Sequence, residues 1–146
     1  MTNRIVSADE LRQLIGKDLE LSPWVLLDQQ RINAFADVTE DHQFIHVDPE
    51  KAKATLFGGT IAHGLLPLSM LPLLQEKTLP VLEGMKAGIN YGYDKIRFLS
   101  PVQSGKRIRA NFVITDFREA GRGRFKLVTT VTVEIEDEEK PALIAD

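Results

Sequence analysis

The chain has 146 residues, of which 43% are hydrophobic and 27% are charged, a composition typical of one globular domain. A chain of this length buries roughly 70% of its unfolded surface, so it needs neither a disulfide nor a metal to hold a core. The lack of cysteine excludes a disulfide framework, a thiolate zinc site and a cysteine nucleophile. The net charge of −3 argues against a broad nucleic-acid-binding surface.

No segment of the sequence is typical of membrane insertion or export. No stretch reaches the roughly 18 uncharged apolar residues that a membrane helix needs, and the first residues (MTNRIVSADELR) lack the apolar core of a signal peptide. We therefore expect a cytoplasmic protein that binds neither membranes nor nucleic acids. Since there is no internal repeat or flexible linker, we expect residues 1–146 to form a single domain.

Residues 1–83 are predicted to form helices and loops with one short strand. The capping-box pattern from Ser7 to Glu10 starts the first helix, and Gly16 stops it. Residues 23–28 are a short apolar run, predicted as the strand. Asp28 then caps a second helix. One face of this helix is apolar: Ile32, Phe35 and Ala36.

The next helix begins at Asp48, a cap residue, with Pro49 as its first helical residue. The preceding residues, 41–47, are predicted to be a loop, which leaves His46 outside any helix.

Residues 60–75 contain no charged residue and are apolar on nearly all sides, which predicts a helix that is buried on most sides. If this helix starts near His63 or Gly64, Pro67 lies in its tolerant first turn. Pro72 is then expected to kink or end the helix.

The rest of the chain, residues 84–136, is predicted to form antiparallel strands. Apolar side chains alternate with polar ones in two segments joined by a glycine-rich turn at residues 120–123. The apolar positions are Ile108, Ala110, Phe112 and Ile114, and then Phe125, Leu127, Val131, Val133 and Ile135. An earlier strand is predicted over residues 87–99, broken around Gly92 to Asp94. A curved antiparallel sheet wrapped around a central apolar helix is an α+β fold.

Residues 41–48 hold two of the three histidines together with two carboxylates. Asp41 and His46 are five residues apart, about 140° around an ideal helix, so only a loop turns both into one cavity. A carboxylate beside an imidazole suits chemistry in which water loses a proton while a carbon gains one. A solvated loop whose Asp48 merely caps a helix is the alternative. His42 and His46 have a metal-like spacing, but zinc needs a third ligand, and we expect no metal.

The second cluster is residues 57–64, where glycines precede the apolar helix. Backbone N–H groups at the start of this helix can hold a developing oxyanion, and the alternative is a flexible turn with close helix packing at Gly64. For Gly58 and Gly59 the turn is the favoured interpretation. His63 in this apolar setting fits either a hydrogen-bonded core histidine or a proton carrier. Ser69 bonds back to its own helix or points into a site.

Several motifs occur in order along nearly the whole chain: Phe35-Ala36, Asp41 with His46, Asp48-Pro49, residues 61–64 (IAHG), and residues 89–98 (INYGYDKIRF) with Ser100-Pro101-Val102. In these motifs the sequence resembles the MaoC-like (R)-specific enoyl-CoA hydratases, the hydratase 2 group of the hot-dog fold, and within it the nodulation-protein-N-like branch. The resemblance implies a hot-dog fold, a homodimer, an acyl-CoA substrate near the subunit interface and a role in fatty acid metabolism. The last strand is expected to be short or missing.

The resemblance also implies roles for particular residues. Asp41 and His46 would activate a water that adds to C3 of a trans-2-enoyl-CoA while C2 is protonated, which gives (R)-3-hydroxyacyl-CoA. The Gly64 N–H would polarise the thioester carbonyl. The further substrate-binding candidates are His63, Ser69 and Asn90. Coenzyme A is part of the substrate, and no separate cofactor is expected.

Two other functions are compatible with the sequence. Hot-dog thioesterases commonly carry a carboxylate on or near the central helix, and residues 60–75 contain none before Glu76. A non-catalytic acyl-thioester-binding subunit would share the fold without the turnover, since a fold does not guarantee an activity.

Overall fold

The structure is a computed structural model that describes residues 3–146. The helices are α1 (Ala8–Gln13), α2 (Gln29–Thr39), α3 (Phe44–Val47), α4 (Pro49–Ala52), α5 (Leu65–Ser69) and α6 (Leu71–Glu76). The strands are β1 (Ile5–Val6), β2 (Val25–Leu27), β3 (Val81–Leu82), β4 (Ile96–Phe98), β5 (Lys106–Glu119), β6 (Phe125–Ile135) and β7 (Leu143–Ala145).

Five strands form one antiparallel sheet in the order β2-β5-β6-β7-β4. Its centre is the long hairpin of β5 and β6, which pairs Ile108 with Ile135 at one end and Glu119 with Phe125 at the other. The positive φ angles that the turn requires occur at Gly121, Arg122 and Gly123, as its glycines predict. The α+β class and the antiparallel sheet are therefore confirmed.

The core lies between one face of this sheet and the apolar helices. The alternating residues of β5 and β6 are almost fully buried: Ile108, Ala110, Phe112, Ile114, Val131, Val133 and Ile135. They form one cluster with Leu66 of α5 and with Leu71 and Leu74 of α6. The alternation is lost in the first half of β6, where Phe125 is 38% exposed at the hairpin end and residues 126–130 are all half-buried. A register shift interrupts the pairing with β5 after Ile114.

The apolar segment starts its helical structure at Leu65, just after Gly64, and divides at Met70 into α5 and α6. Pro67 lies in the first turn of α5 and Pro72 in the first turn of α6, as predicted. Because Pro72 has no N–H, the regular helical hydrogen-bond ladder cannot continue through it. Leu65 is 57% exposed in the single chain, so burial on most sides was too strong an expectation.

Several local predictions near the N-terminus are confirmed. The Ser7 hydroxyl accepts from the Glu10 N–H while the Glu10 carboxylate accepts from the Ser7 N–H, a complete capping box. Asp28 caps α2 and Asp48 caps α4 with side-chain oxygens.

No helix in the described part of the chain has the length and apolarity needed to cross a membrane.

Three predictions were wrong in detail. Residues 41–47 are not all loop, because α3 adds one helical turn that contains His46. Residues 1–83 contain two further strands, β1 and β3, which pair in parallel through contacts about 76 residues apart that no local pattern reveals. The strand predicted over residues 87–99 is reduced to β4, because its partner β7 is only three residues long. The last strand, β7, is therefore short, as expected.

Candidate active site

Asp41 lies just beyond the end of α2. The helix ends at Glu40, whose left-handed backbone (φ 60°) reverses the chain. One carboxylate oxygen of Asp41 accepts a hydrogen bond from the Gln43 N–H at 3.3 Å. The turn that follows leads directly into α3, and so places Asp41 beside the helical turn that carries His46.

His46 is buried, and its hydrogen bonds define its proton. Nδ1 lies 2.7 Å from the backbone carbonyl oxygen of Ile61. A carbonyl can only accept, so Nδ1 carries the hydrogen, and Nε2 of the neutral ring keeps its lone pair. The ring is therefore arranged to take a proton through Nε2.

His63 is also buried, and its ring stacks on that of His46 with 3.8 Å between centroids and 23° between planes. Its Nε2 donates to the backbone carbonyl of Asp41 at 2.9 Å. Its Nδ1 is buried without a hydrogen-bond partner among residues 3–146. The ring thus contacts both Asp41 and His46. His63 therefore has more site contacts than the hydrogen-bonded core histidine considered from sequence.

These three side chains form one cluster. A carboxylate oxygen of Asp41 and a ring nitrogen from each of His46 and His63 lie within 4.8 Å of one another. Atoms at such distances can hold one small polar molecule between them, because a hydrogen bond to each needs only about 3 Å. The convergence of Asp41 and His46 that the loop was predicted to allow is therefore present.

The stacking of the two rings suits a proton-transfer site better than a metal site. Two imidazoles that bind one zinc ion tetrahedrally through nitrogens at about 2.0–2.1 Å have centroids roughly 5 Å apart. The centroids of His46 and His63 are only 3.8 Å apart with 23° between planes, closer than in that arrangement, while one ligand atom from each ring and from Asp41 lies within 4.8 Å of the others. In the metal-like pair considered from sequence, His42 is exposed beside Asp37 and is not part of the cluster of Asp41, His46 and His63.

A cavity of about 250 Å³ opens beside the cluster. The residues that line it include His46, His63, Gly64, Phe98 and Pro101. The Gly64 N–H has no hydrogen-bond acceptor in the described structure, so this amide is free to donate to a ligand. A nitrogen base and a free amide thus border one space of ligand size, and the Asp41 carboxylate lies within 4.8 Å of a ring nitrogen of that base.

The other candidate residues lie elsewhere. His42 is exposed and contacts Asp37 at 2.9 Å. The Ser69 hydroxyl donates to the Leu65 carbonyl at 2.7 Å, which is the helix-bonded alternative. Asn90 is exposed in the stretch before β4.

Two residues that sequence reasoning missed support the site. Gln29 and Thr60 hydrogen-bond to each other and connect α2 to α3 and to the segment before Gly64. Neither stands out in the sequence, because their contacts cross 17 and 31 residues of chain.

The similarity of the chain to known proteins agrees with this geometry. A family model described as MaoC like domain matches residues 10–138. The chain belongs to the MaoC-like dehydratase family.

Its relatives match over almost the whole chain. Nodulation protein N of Rhizobium meliloti is 46% identical over 142 residues, which are 97% of this chain and 88% of the relative. The 3-hydroxyacyl-thioester dehydratase Z of Mycobacterium tuberculosis is 44% identical over 140 residues, 96% of this chain and 92% of the relative. Both the family and the nodulation-protein-N-like branch expected from sequence are therefore confirmed.

The fold is also found in a solved structure described as an (R)-hydratase from A. caviae involved in PHA biosynthesis. That structure has a TM-score of 0.72 and 25% identity, and the match covers 88% of this chain and 92% of that one. This MaoC-like domain therefore has the hot-dog fold, as the sequence resemblance implied.

Proposed function

We propose that this MaoC-like protein is a reversible hydro-lyase that adds water to trans-2-enoyl-CoA and gives (R)-3-hydroxyacyl-CoA. The observation that carries the proposal is that the His46 ring and the free Gly64 N–H line one cavity, while the Asp41 carboxylate lies within 4.8 Å of a ring nitrogen of His46. A relative named as a hydroxyacyl-thioester dehydratase and a structural neighbour named as an (R)-hydratase support the same reaction class.

In the proposed reaction, Asp41 and His46 hold the attacking water. Nε2 of His46 takes one proton from the water as its oxygen bonds to C3 of the enoyl group. The C2–C3 electron pair moves toward the thioester oxygen, which accepts from the Gly64 N–H. C2 then receives the proton held by the cluster, so one water is added in total and the histidine returns to its neutral form.

Two parts of this mechanism follow from local hydrogen bonds. The bond from Nδ1 of His46 to the Ile61 carbonyl fixes the tautomer that exposes Nε2, and it stabilises the charged ring that forms during the reaction. The Gly64 amide precedes α5 and has no partner to give up when a thioester oxygen arrives. Neither group must be rearranged before catalysis.

The experiment is a hydration assay with crotonyl-CoA and longer enoyl-CoAs, followed by the loss of enoyl-thioester absorbance. Asp41→Asn and His46→Asn are each expected to lose roughly a hundredfold or more, the usual contribution of a positioned acid or base. His42→Asn is the matched control, because it makes the same change at an exposed histidine outside the cluster. Full activity in both cluster variants would disprove the assigned roles.

The same samples distinguish the other functions. Release of free thiol from acyl-CoA would indicate a thioesterase, although the carboxylate that follows the apolar segment, Glu76, is exposed and does not line the cavity. Tight binding of acyl-CoA without hydration at any chain length would indicate a non-catalytic subunit. Either result would replace the hydratase proposal.

We also propose that the protein forms a homodimer through the edge of the sheet at β4. This strand is the last in its sheet, so one side of its backbone has no strand partner. Next to it, Ile89 and Tyr91 are 87% and 88% exposed, an unusual exposure for large apolar side chains. Sedimentation should give twice the 16.4 kDa chain mass. Tyr91→Lys should weaken the dimer and Val38→Lys, at an exposed apolar residue of α2, should not.

A further inference from the structure

Gln29 makes hydrogen bonds within its own helix, to α3 and to the segment before Gly64. Its Nε2 donates to the backbone carbonyl of His46 at 2.7 Å and to the side-chain oxygen of Asn33 at 2.9 Å. Its Oε1 accepts from the Thr60 hydroxyl at 2.5 Å. Gln29 is the first residue of α2, where its backbone is set by the Asp28 cap.

The direction of each of these hydrogen bonds is determined by chemistry. The His46 carbonyl can only accept, so the amide nitrogen of Gln29 must face it. The amide oxygen then faces Thr60, which must act as the donor. The arrangement therefore requires an amide at position 29 and a hydroxyl at position 60, and both N–H groups of the amide and the O–H of the hydroxyl are used.

The Gln29–Thr60 pair connects the two halves of the proposed site. On one side is the carbonyl of His46, the proposed base. On the other side is buried Thr60, four residues before Gly64, the proposed oxyanion donor. The neighbouring Ile61 strengthens the connection, since its N–H donates to the Ile45 carbonyl at 3.0 Å while its own carbonyl accepts from His46 Nδ1.

We propose that Gln29 and Thr60 are positioning residues that set the distance between Nε2 of His46 and the N–H of Gly64. This inference rests on the proposed function, because the distance matters only if both groups act on one substrate. A displacement of about 1 Å in such a site can cost about a hundredfold in rate without removing any reacting group. Neither residue lines the cavity beside His46, so the pair acts through the residues it holds.

The first experiment compares two matched pairs of variants in the hydration assay. Gln29→Glu keeps the size of the side chain and the oxygen that accepts from Thr60, but it replaces the N–H group that donates to the His46 carbonyl with an oxygen. Its control is Gln30→Glu, which makes the same change at the next residue, an exposed one. Thr60→Val removes the hydroxyl and Thr60→Ser keeps it. We expect kcat to fall roughly 10- to 100-fold in Gln29→Glu and Thr60→Val, with KM changed less than about twofold. The two control variants should remain near wild type.

The second experiment reads the position of His46 without any activity. The chain has only three histidines, so long-range ¹⁵N–¹H NMR spectra can resolve each ring. Gln29→Glu and Thr60→Val should move the His46 ring signals and leave those of exposed His42 in place, while Gln30→Glu should move neither.

The outcomes separate this inference from the proposed function. If the wild type hydrates no enoyl thioester, the proposed function fails, and a His46 signal that moves in Gln29→Glu still supports the positioning role. If the wild type is active and Gln29→Glu keeps its kcat and its His46 signals, the positioning role is wrong. A folded Thr60→Val with full kcat would overturn it equally, even if Gln29→Glu does not fold.

Discussion

Gly64 offers a way to separate the oxyanion role from the space that glycine provides. Its backbone angles (φ −54°, ψ −36°) lie in the ordinary right-handed helical region, so glycine is not required there for conformation. A Cβ added at this position would lie 3.5–3.8 Å from ring atoms of Phe98, which is normal van der Waals contact. Gly64→Ala therefore fits, and it keeps the N–H.

Gly64→Pro removes the N–H from nearly the same backbone. Proline fixes φ near −65°, close to the observed angle, and the amide it removes has no partner in the described structure. His63, the residue before it, lies outside α5, so the usual conflict between proline and a preceding helical residue is reduced. The two variants thus differ chiefly in one hydrogen-bond donor.

Stability and activity are expected to change independently in these two variants. Gly64→Ala should stabilise the fold by about 0.4–1 kcal/mol, because the unfolded chain loses freedom, and so raise Tm by up to roughly 4 °C. It should keep activity within about tenfold. Gly64→Pro should lose about 10²–10³ in kcat, or about 2.7–4 kcal/mol, the usual loss for one oxyanion donor.

The assay is enoyl-CoA hydration for wild type and both variants, with thermal unfolding of the same samples. A folded Gly64→Pro that hydrates substrate as fast as Gly64→Ala would refute the oxyanion role of this amide. A Gly64→Ala that unfolds well below the wild type would instead show that the space next to Phe98 is smaller than the 3.5 Å contact indicates.

Three further predictions concern packing, the apolar helix and acid pH. Phe112→Ala should lower the free energy of unfolding in urea by about 3–5 kcal/mol, because the ring is 1% exposed. Val113→Ala, on the other face of the strand, should lower it clearly less. Equal losses of stability would contradict the assigned core. Ser69→Ala should keep activity within about threefold, because loss of a hydroxyl bonded to its own helix is a small perturbation; a tenfold loss would place Ser69 in the site. The pKa of Glu10 lies below its ordinary value, chiefly because the Ser7 backbone N–H donates to the carboxylate. Its stabilisation is complete above the pKa of the unfolded chain and lost as pH falls through the lower folded pKa, so Glu10→Gln should flatten this part of a pH series of melting curves.

Predictions from sequence succeeded where the cause was local. The Ser7 and Asp48 caps use side chains three residues from the amides they bind, and the buried face of β5 follows from alternation alone. The apolar helix and the effect of Pro72 are also local. These elements account for most of the α+β fold.

Predictions failed where partners are distant in sequence. The strand expected over residues 87–99 depended on the length of β7, which lies about 50 residues later. The helical turn that contains His46 is held by Ile61 and Gln29, at 15 and 17 residues' distance. Local propensity contains no term for such contacts.

The sequence by itself determined the apolar helix, the alternating strands and the presence of Asp41 and His46 within one short segment, because period and capping act over a few residues. Only the tertiary structure decided which nitrogen of His46 is free, that His63 stacks on it, and that Gln29 and Thr60 join the two halves of the site. Those features depend on hydrogen bonds and packing between segments 15 to 31 residues apart, and these contacts form only when the chain folds and brings the segments together.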